Sequence, residues 1–432
     1  MTTAGSRLDP WVDAYAARAN AMRASEIRAL FAVASRPEVV SLAGGMPFVQ
    51  ALPLDALAET AARLVRERGA EVLQYGSGQG DVTLRGQILE IMAEVGITAH
   101  PDDVIVTTGS QMALDLVTRV FCDPGDVVLV EAPSYVGALG VFRAYECDIQ
   151  HVAMDDEGLV PEALDEAITR VRADGKRVKM IYTIPSFHNP AGVTQGPERR
   201  QRILEIAKRE GILILEDDPY GLLGFEGAPP RAIRADDDQQ VVYLGSFSKT
   251  IASGLRVGWA VAPHGVREKL VLAAESAVLC PSNYAQLTVS EYLATQPWRE
   301  QVKVFRELYR ERRDALLDSL AQLMPAGTTW TKPAGGFYSW VTLPEGLDAK
   351  AMLPRAITAL VAYVPGTGFF VDGQGSQSLR LSYCYPDADR IREGVRRLSG
   401  VIESELEIAQ TFGTGHVLRD GAGPANPAPD LL

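Results

Sequence analysis

The chain has 432 residues, too many for one hydrophobic core, so we expect two or three domains. Hydrophobic residues make up 47% and charged residues 22%, the balance of an ordinary soluble globular protein. The formal net charge of −13 argues against nucleic acid or an anionic membrane as a partner, because both require a basic surface.

The four cysteines, Cys122, Cys147, Cys280 and Cys384, are widely separated and show no Cys-x-x-Cys spacing. This pattern is typical of free thiols in a reducing compartment, and it indicates no metal site. The N-terminal residues lack a charged-then-apolar signal pattern, and no run of about twenty apolar residues occurs. We therefore expect a cytoplasmic protein without a membrane-spanning segment.

The first predicted elements belong to an N-terminal arm, residues 1–50, which contains a helix over residues 14–35 and is expected to pack with a small domain. After about residue 55, helices alternate with short strands that are almost continuously apolar, as in strands buried on both faces. These strands are predicted at residues 104–107, 127–130, 178–183, 212–215, 241–244 and 257–260. The alternation predicts a doubly wound α/β domain over residues 51–295, with a mainly parallel sheet between helices.

The pattern changes after residue 297, where strands and helices mix on a shorter scale. We predict a smaller α+β domain over residues 296–410, with a long amphipathic helix followed by short strands. Its predicted helices cover residues 298–323 and 349–360, and its strands cover residues 336–343, 362–364 and 378–382. The last stretch, residues 411–432, is rich in Gly, Pro, Ala and Asp and is predicted to be a disordered tail.

One stretch, residues 246–259, carries the strongest chemical signal. Lys249 follows Ser246 and Ser248 closely and precedes Arg256 by seven residues. A lysine that forms a Schiff base must be able to lose its proton, and serine hydroxyls with a forked guanidinium suit a phosphate monoester. The combination indicates a cofactor that carries an aldehyde and a phosphate, which is pyridoxal phosphate. The alternative is a polar turn with a solvated lysine.

A second candidate wall of the phosphate site is the turn at Ser110. Residues 106–114 read as a strand, a glycine turn and the start of a helix, where exposed backbone amides bind anions. Many strand-to-helix turns contain Gly-Ser, so this turn alone does not indicate a phosphate site. Together with Ser246, Ser248 and Arg256 it indicates a second wall of one.

Four polar or aromatic residues lie at or after the ends of other predicted strands, where ligands bind in open α/β sheets. Asp217 is the carboxylate expected to keep a pyridine nitrogen protonated, and Tyr220 is placed to reach the cofactor's phenolic oxygen. Asn189 offers a neutral donor to the same oxygen, and Tyr135 suits stacking on the ring. The alternatives are capping or solvated turns for the acidic residues and a core position for Tyr135.

Arg380 stands inside an apolar strand, between Leu379 and Leu381. An arginine buried there is costly without a partner, and the α-carboxylate of an amino acid would supply one through two parallel hydrogen bonds. The alternative is an edge-strand arginine that faces water.

With these motifs in order, residues 41–383 resemble the fold-type I pyridoxal-phosphate aminotransferases of class I/II, in the group of 2-aminoadipate, kynurenine and aromatic amino acid transaminases. The resemblance implies a large cofactor-binding domain with a mixed, mainly parallel sheet of the seven-stranded type. It implies that Lys249 is the Schiff-base lysine and catalytic base, with Asp217 as the pyridinium partner. It also implies contacts of Tyr220 and Asn189 with the ring oxygen and stacking by Tyr135. The residues implied to hold the phosphate are Ser110, Gln111, Ser246, Ser248 and Arg256.

The resemblance also implies the substrate contacts and the assembly. Arg380, Gly45 and Asn189 are the implied substrate-binding residues. Tyr75 is similar to a tyrosine that reaches the phosphate of the neighbouring subunit, so a homodimer with shared active sites is expected.

The sequence departs from the family pattern in two places. His188 and Ala191 replace the residues most often found around the Asn-Pro motif. Ala21 occupies a position where some relatives place an arginine for a distal carboxylate, which weakens the case for a dicarboxylate substrate unless Arg23 or Arg28 substitutes.

The expected activity is a ping-pong transamination between an L-amino acid and a 2-oxo acid, with 2-oxoglutarate as the expected acceptor. The donor is left open among 2-aminoadipate, aromatic and branched-chain amino acids. A lyase, decarboxylase or synthase on the same fold is the first alternative. A ligand-sensing regulator is the remote one, because only about 40 residues precede the Ser-Leu-Ala-Gly-Gly motif at residues 41–45, too few for a DNA-binding module.

Overall fold

The computed structural model describes Trp11, residues 13–21 and residues 36–412. The strands are β1 (Val40–Ser41), β2 (Val104–Thr107), β3 (Val127–Ala132), β4 (Asp148–Asp155), β5 (Gly158–Leu159), β6 (Val178–Thr183), β7 (Leu213–Asp217), β8 (Val241–Ser246), β9 (Gly258–Val261), β10 (Thr329–Trp330), β11 (Tyr338–Thr342), β12 (Val361–Ala362), β13 (Val364–Pro365) and β14 (Ser378–Ser382). The α-helices are α1 (Leu54–Val72), α2 (Val82–Met92), α3 (Ser110–Phe121), α4 (Val136–Ala144), α5 (Pro161–Ala173), α6 (Pro197–Glu210), α7 (His264–Val278), α8 (Asn283–Thr295), α9 (Trp298–Leu323), α10 (Ala349–Thr358) and α11 (Ala388–Phe412).

Eight strands form a large mixed sheet in the order β2-β9-β8-β7-β6-β3-β4-β5. The strands from β8 to β4 run parallel, whereas β9 is antiparallel to both of its neighbours and β5 is antiparallel to β4. This confirms the predicted α/β fold with a mainly parallel sheet. The prediction missed β4, because its residues alternate polar and apolar near the edge of the sheet and are mostly half-buried.

Helices cover both faces of this sheet. Along β3, Val128 and Val130 pack on the side of α3, α4 and α7, whereas Val127 and Leu129 pack on the side of α5 and α6. Successive strand residues point to opposite faces, so a strand covered on both sides must be apolar throughout. Each fully buried Val, Leu or Ile contributes about 1.5–3 kcal/mol to the free energy of unfolding. This burial stabilises the strands whose ends carry the polar residues.

A smaller antiparallel sheet has the order β10-β11-β14-β13 and confirms the predicted α+β domain. Its strand β14 coincides with the predicted strand at residues 378–382, and α9 coincides with the predicted long helix. β1 pairs in parallel with β12, so the chain enters the small domain before it continues into residues 42–46. This route brings the Gly-Gly segment between the two sheets.

Part of the predicted N-terminal helix and most of the predicted tail lie outside the described residues, namely residues 22–35 and 413–432. Where the predicted N-terminal helix is described, the chain forms a short 3₁₀ helix, Ala17–Ala21. The domain boundaries near residues 50, 295 and 410 stay predictions. Within the described ranges, no helix combines the length and the apolar character that a membrane crossing needs.

Candidate active site

The candidate site lies where the parallel strands of the large sheet end. Tyr135 follows β3, Asn189 follows β6, Asp217 ends β7 and Ser246 ends β8. The carboxyl ends of parallel strands meet at one edge of a sheet, which is where open α/β folds bind ligands.

Lys249 lies on a single π-helical turn, Ser248–Ala252, a conformation often found at functional sites. Its Nζ donates a hydrogen bond of 3.1 Å to the Gly45 carbonyl and lies 5.7 Å from the centre of the Phe337 ring. Burial lowers the pKa of Lys249 to about 8; Cys384 opposes this shift, and the guanidinium charges of Arg256 and Arg380 add to it. An amine with this pKa is partly neutral near physiological pH and can act as a nucleophile or a base.

The lowered pKa of Lys249 predicts the pH dependence of its reaction with pyridoxal phosphate. Only the neutral amine attacks an aldehyde, so the rate should rise about tenfold per pH unit below 8 and level off above it. Stopped-flow absorption after mixing cofactor-free protein with the cofactor, between pH 6 and 10, measures this profile. A midpoint near 10.5, the ordinary lysine value, would show that Lys249 is solvated.

Hydroxyl and guanidinium groups form one wall of an anion site. The Ser246 and Ser248 hydroxyls lie 2.9 Å apart, and Arg256 Nη1 donates to Ser248 Oγ at 3.2 Å. Arg256 has a φ of +54°, in the left-handed region that costs a non-glycine residue about 1–3 kcal/mol. Strain of this kind, in an exposed arginine that donates to the Ser248 hydroxyl, is typical of a ligand site.

The start of α3 forms the opposite wall. Gly109 has a φ of +74°, and a Cβ there would overlap the Arg256 guanidinium. A Cβ on Gly258 would lie 2.5 Å from the Ser110 amide nitrogen. The structure therefore brings the two sequence motifs together, with the amides of a helix N-terminus beside the Arg256 charge.

Asp217 is a buried carboxyl group with one free oxygen. The Tyr182 hydroxyl donates to Oδ2 at 2.8 Å, whereas Oδ1 is buried and has no partner within the described structure. Burial raises the pKa of Asp217 to about 7, the Tyr182 hydrogen bond lowers it, and the charge of Asp218 raises it. A buried carboxylate oxygen without a donor fits the N–H of a pyridinium ring, so the residues present fit pyridoxal phosphate.

Arg380 and Asn189 form a buried pair on the other side of the site. Arg380 is 1% exposed, donates from Nη1 to Asn189 Oδ1 at 2.9 Å and donates from Nη2 to the Ala43 carbonyl at 2.7 Å. Among residues 36–412 and the short described N-terminal part, its Nε is buried without a hydrogen-bond partner. Arginine only donates, so the oxygen of the Asn189 amide must face it and the amino group of that amide is turned elsewhere. The alternative of an edge-strand arginine that faces water is therefore excluded, because β14 lies between β11 and β13 and Arg380 is buried.

Two aromatic residues that the sequence analysis did not select, Tyr338 and Phe369, enclose the Arg380 guanidinium. The Tyr338 ring centre lies 4.1 Å from the guanidinium carbon and the Phe369 ring centre lies 5.1 Å from it. Any Cβ on Gly45 would overlap the Tyr338 hydroxyl, so only glycine fits there. The pairing of β11 with β14 creates this contact, and nothing in the local sequence signals it.

The three tyrosines that the sequence predicts at the site differ in location: two lie beside other site residues and one is exposed. Tyr220 is buried, its hydroxyl lies 3.5 Å from that of Tyr338, and burial raises its pKa well above the usual range. The Tyr135 hydroxyl donates to Gln111 Oε1 at 3.3 Å, and burial raises the pKa of Tyr135 to about 12. Tyr75, in contrast, is 77% exposed and lines a surface groove with Gln74 and Asn283. The chain by itself does not bring Tyr75 into the site.

Residues 37–398 match the class I and II aminotransferases. An aromatic-amino-acid aminotransferase of Thermococcus litoralis is 41% identical over 91% of this chain and 95% of its own length. A 2-aminoadipate transaminase of Thermus thermophilus is 39% identical over 92% of this chain and 98% of its own. The crystal structure of a Pyrococcus horikoshii kynurenine aminotransferase superposes with a TM-score of 0.87 at 40% identity, over 91% of this chain and 97% of that one.

The chain therefore belongs to the class I/II aminotransferases, which confirms the predicted family. This family uses pyridoxal phosphate, so the predicted cofactor is confirmed as well. The protein is a transaminase that acts on amino acids and 2-oxo acids.

Proposed function

We propose that this enzyme transfers the amino group of an aromatic or 2-aminoadipate-type L-amino acid to 2-oxoglutarate by a ping-pong mechanism. One observation carries the proposal: two carbonyls of the same short segment, at Ala43 and Gly45, accept from Arg380 and Lys249 respectively. An anchor for a carboxylate and an amine base are thus held by one three-residue segment. An amino acid substrate requires both groups, one for its α-carboxylate and one for its Cα–H.

We propose that Asp217 holds the ring nitrogen of the cofactor, that Asn189 and Tyr220 contact its ring oxygen and that Tyr135 stacks on the ring. Ser246, Ser248 and Arg256, together with the start of α3, would hold the cofactor's phosphate. When bound, pyridoxal phosphate supplies the electron sink that makes the Cα–H bond of an amino acid acidic.

Lys249 is the base in this proposal. Its neutral Nζ takes the proton from the substrate Cα, and the Gly45 carbonyl orients that nitrogen. The lowered pKa matches this task, because a base works best when its pKa is near the operating pH. The Phe337 ring beside Nζ keeps water away, so the proton is not lost to solvent.

Replacing Arg380 with lysine tests the carboxylate anchor. Lysine keeps the positive charge but cannot form two parallel hydrogen bonds, so KM for the amino donor and for the 2-oxo acid should each rise about 10- to 100-fold. Steady-state kinetics on both substrates measures the change. Arg299→Lys, at an exposed ion pair with Glu94, is the matched control and should leave both KM values unchanged. Unchanged KM values in Arg380→Lys would contradict the anchor.

The donor class is supported by the relatives, which act on aromatic amino acids, 2-aminoadipate and kynurenine. A panel of donors against 2-oxoglutarate, with glutamate formation as the readout, tests it. We expect kcat/KM to be highest for an aromatic amino acid or 2-aminoadipate. A maximum for a branched-chain donor or for alanine would contradict this assignment.

We also propose a homodimer that shares its active sites, in the cytoplasm. Leu73, Tyr75 and Val82 are exposed apolar or aromatic side chains close together in the chain, as at a covered surface. Analytical ultracentrifugation should give twice the mass of the chain. A monomer that retains full activity would contradict shared sites.

A further inference from the structure

A buried carboxylate lies beside the loop that carries Asn189. Glu131, near the end of β3, has no exposed side-chain surface and accepts hydrogen bonds of 2.8 Å from the Thr183 hydroxyl, the Ile184 amide and the Gln195 side-chain amide. Donors around a buried carboxylate replace the water that it loses on folding. Glu131 is therefore a rigid attachment point that the transamination chemistry itself does not use.

The fourth neighbour of this carboxylate is His188, which directly precedes Asn189. His188 Nε2 lies 3.1 Å from Glu131 Oε2, close enough for an electrostatic contact but not aligned for a hydrogen bond, and both side chains are fully buried. The Ala191 amide donates to the other ring nitrogen, Nδ1, at 3.2 Å. Because Nδ1 accepts, the tautomer with the proton on Nε2 is the one that fits, and this N–H lies beside the carboxylate.

The backbone of His188 is fixed as well as its ring. Its amide donates to the Val193 carbonyl at 2.9 Å, and its carbonyl accepts from the Gly192 amide at 2.6 Å. His188 thus makes three hydrogen bonds within a tight loop, one through its ring and two through its backbone. The next residue is Asn189, whose Oδ1 accepts from Arg380. A shift of His188 therefore moves the amide that orients the guanidinium.

We propose that His188 is a positioning residue: attached to Glu131, it fixes Asn189 so that Arg380 is presented to the substrate α-carboxylate. This inference rests on the proposed role of Arg380. The effect of His188 is transmitted through Asn189, so it should appear in substrate binding and, through the proposed contact of Asn189 with the ring oxygen, in the visible absorption of the bound cofactor.

Two replacements of His188 in the holoenzyme separate positioning from mere stability. His188→Leu keeps the volume but removes both polar contacts, so KM for the amino donor and the inhibition constant of hydrocinnamate, a carboxylic acid without an amino group, should rise about tenfold. His188→Gln can donate to Glu131 and accept from the Ala191 amide, so both constants should stay within about twofold of wild type. The visible absorption of the bound cofactor should shift in His188→Leu, because Asn189 is also the proposed contact of the ring oxygen, and it should stay at the wild-type position in His188→Gln.

Tyr363→Phe is the matched control for stability. It removes a buried hydrogen bond of 2.6 Å to the Ala349 carbonyl in the small domain, so it should lower the melting temperature without changing either constant. If His188→Leu does not fold, Glu131→Gln tests the same attachment, and it should raise the same two constants.

The outcomes are distinguishable. Wild-type constants in His188→Leu, or in Glu131→Gln, together with a raised KM in Arg380→Lys would overturn the positioning role and leave the proposed function intact. Unchanged constants in Arg380→Lys would instead show that the carboxylate anchor itself is misassigned. Failure of His188→Gln to restore the constants would also overturn the inference, because the hydrogen bonds would then not be the cause.

Discussion

Replacing Lys249 with alanine is expected to lower kcat by at least about 10³-fold, because the variant loses the base that acts at Cα. The loss corresponds to about 4 kcal/mol of transition-state stabilisation. Lys249 is the amine that donates to the Gly45 carbonyl, and burial gives it a pKa of about 8. The variant should still bind the cofactor through Asp217 and the phosphate wall, so the expected defect is in turnover.

Kinetics of glutamate formation and the visible spectrum of the purified variant measure these two effects. Lys303→Ala removes an exposed lysine that pairs with Glu300, and it should behave as wild type. Turnover by Lys249→Ala within tenfold of wild type would show that another group is the base.

Replacing Asp217 with asparagine is expected to lower kcat by about 10²- to 10³-fold, the usual cost of removing one preorganised electrostatic partner. The change keeps the shape and the contact with Tyr182 but removes the negative charge that a protonated ring nitrogen requires. The free Oδ1 of Asp217 gives this prediction its structural basis.

Asp218→Asn is a stringent control, since it makes the same chemical change one residue away. Asp218 is also buried, its carboxylate accepts from the Tyr243 hydroxyl at 3.2 Å, and its Oδ1, like that of Asp217, has no hydrogen-bond partner among the described residues. We expect its kcat to remain within about threefold of wild type, because a charge that does not face the ring contributes little. Equal losses in the two variants would mean that buried charge in general, and not a pyridinium contact, is responsible.

The fold could be predicted from sequence where burial makes the strands apolar on both faces. β2, β6 and β14 lie at the predicted residues, whereas β4 was missed because Asp148, Gln150 and His151 interrupt its apolar pattern near the sheet edge. A strand near the edge is only half-buried, and its pattern then resembles that of a loop.

The candidate site could be predicted where a residue's role is visible in its local motif. Lys249 with its serines, Asp217 at a strand end and Arg380 between leucines all stand out in this way. Tyr182 and Tyr338 do not, because their importance arises from strand pairing across many intervening residues. Tyr182 lies in a predicted strand, yet only the packing of β6 beside β7 shows that it donates to Asp217.

In a ping-pong transamination, one half-reaction loads the amino group onto the enzyme and then stops. Rapid mixing of the holoenzyme with an aromatic amino acid in the absence of any 2-oxo acid, with the released products quantified, tests this directly. We expect one equivalent of 2-oxo acid per active site, a change in cofactor absorption and full recovery of the original spectrum when 2-oxoglutarate is added. Continuous product formation without an acceptor, or release of ammonia or carbon dioxide, would contradict it and indicate a lyase or a decarboxylase.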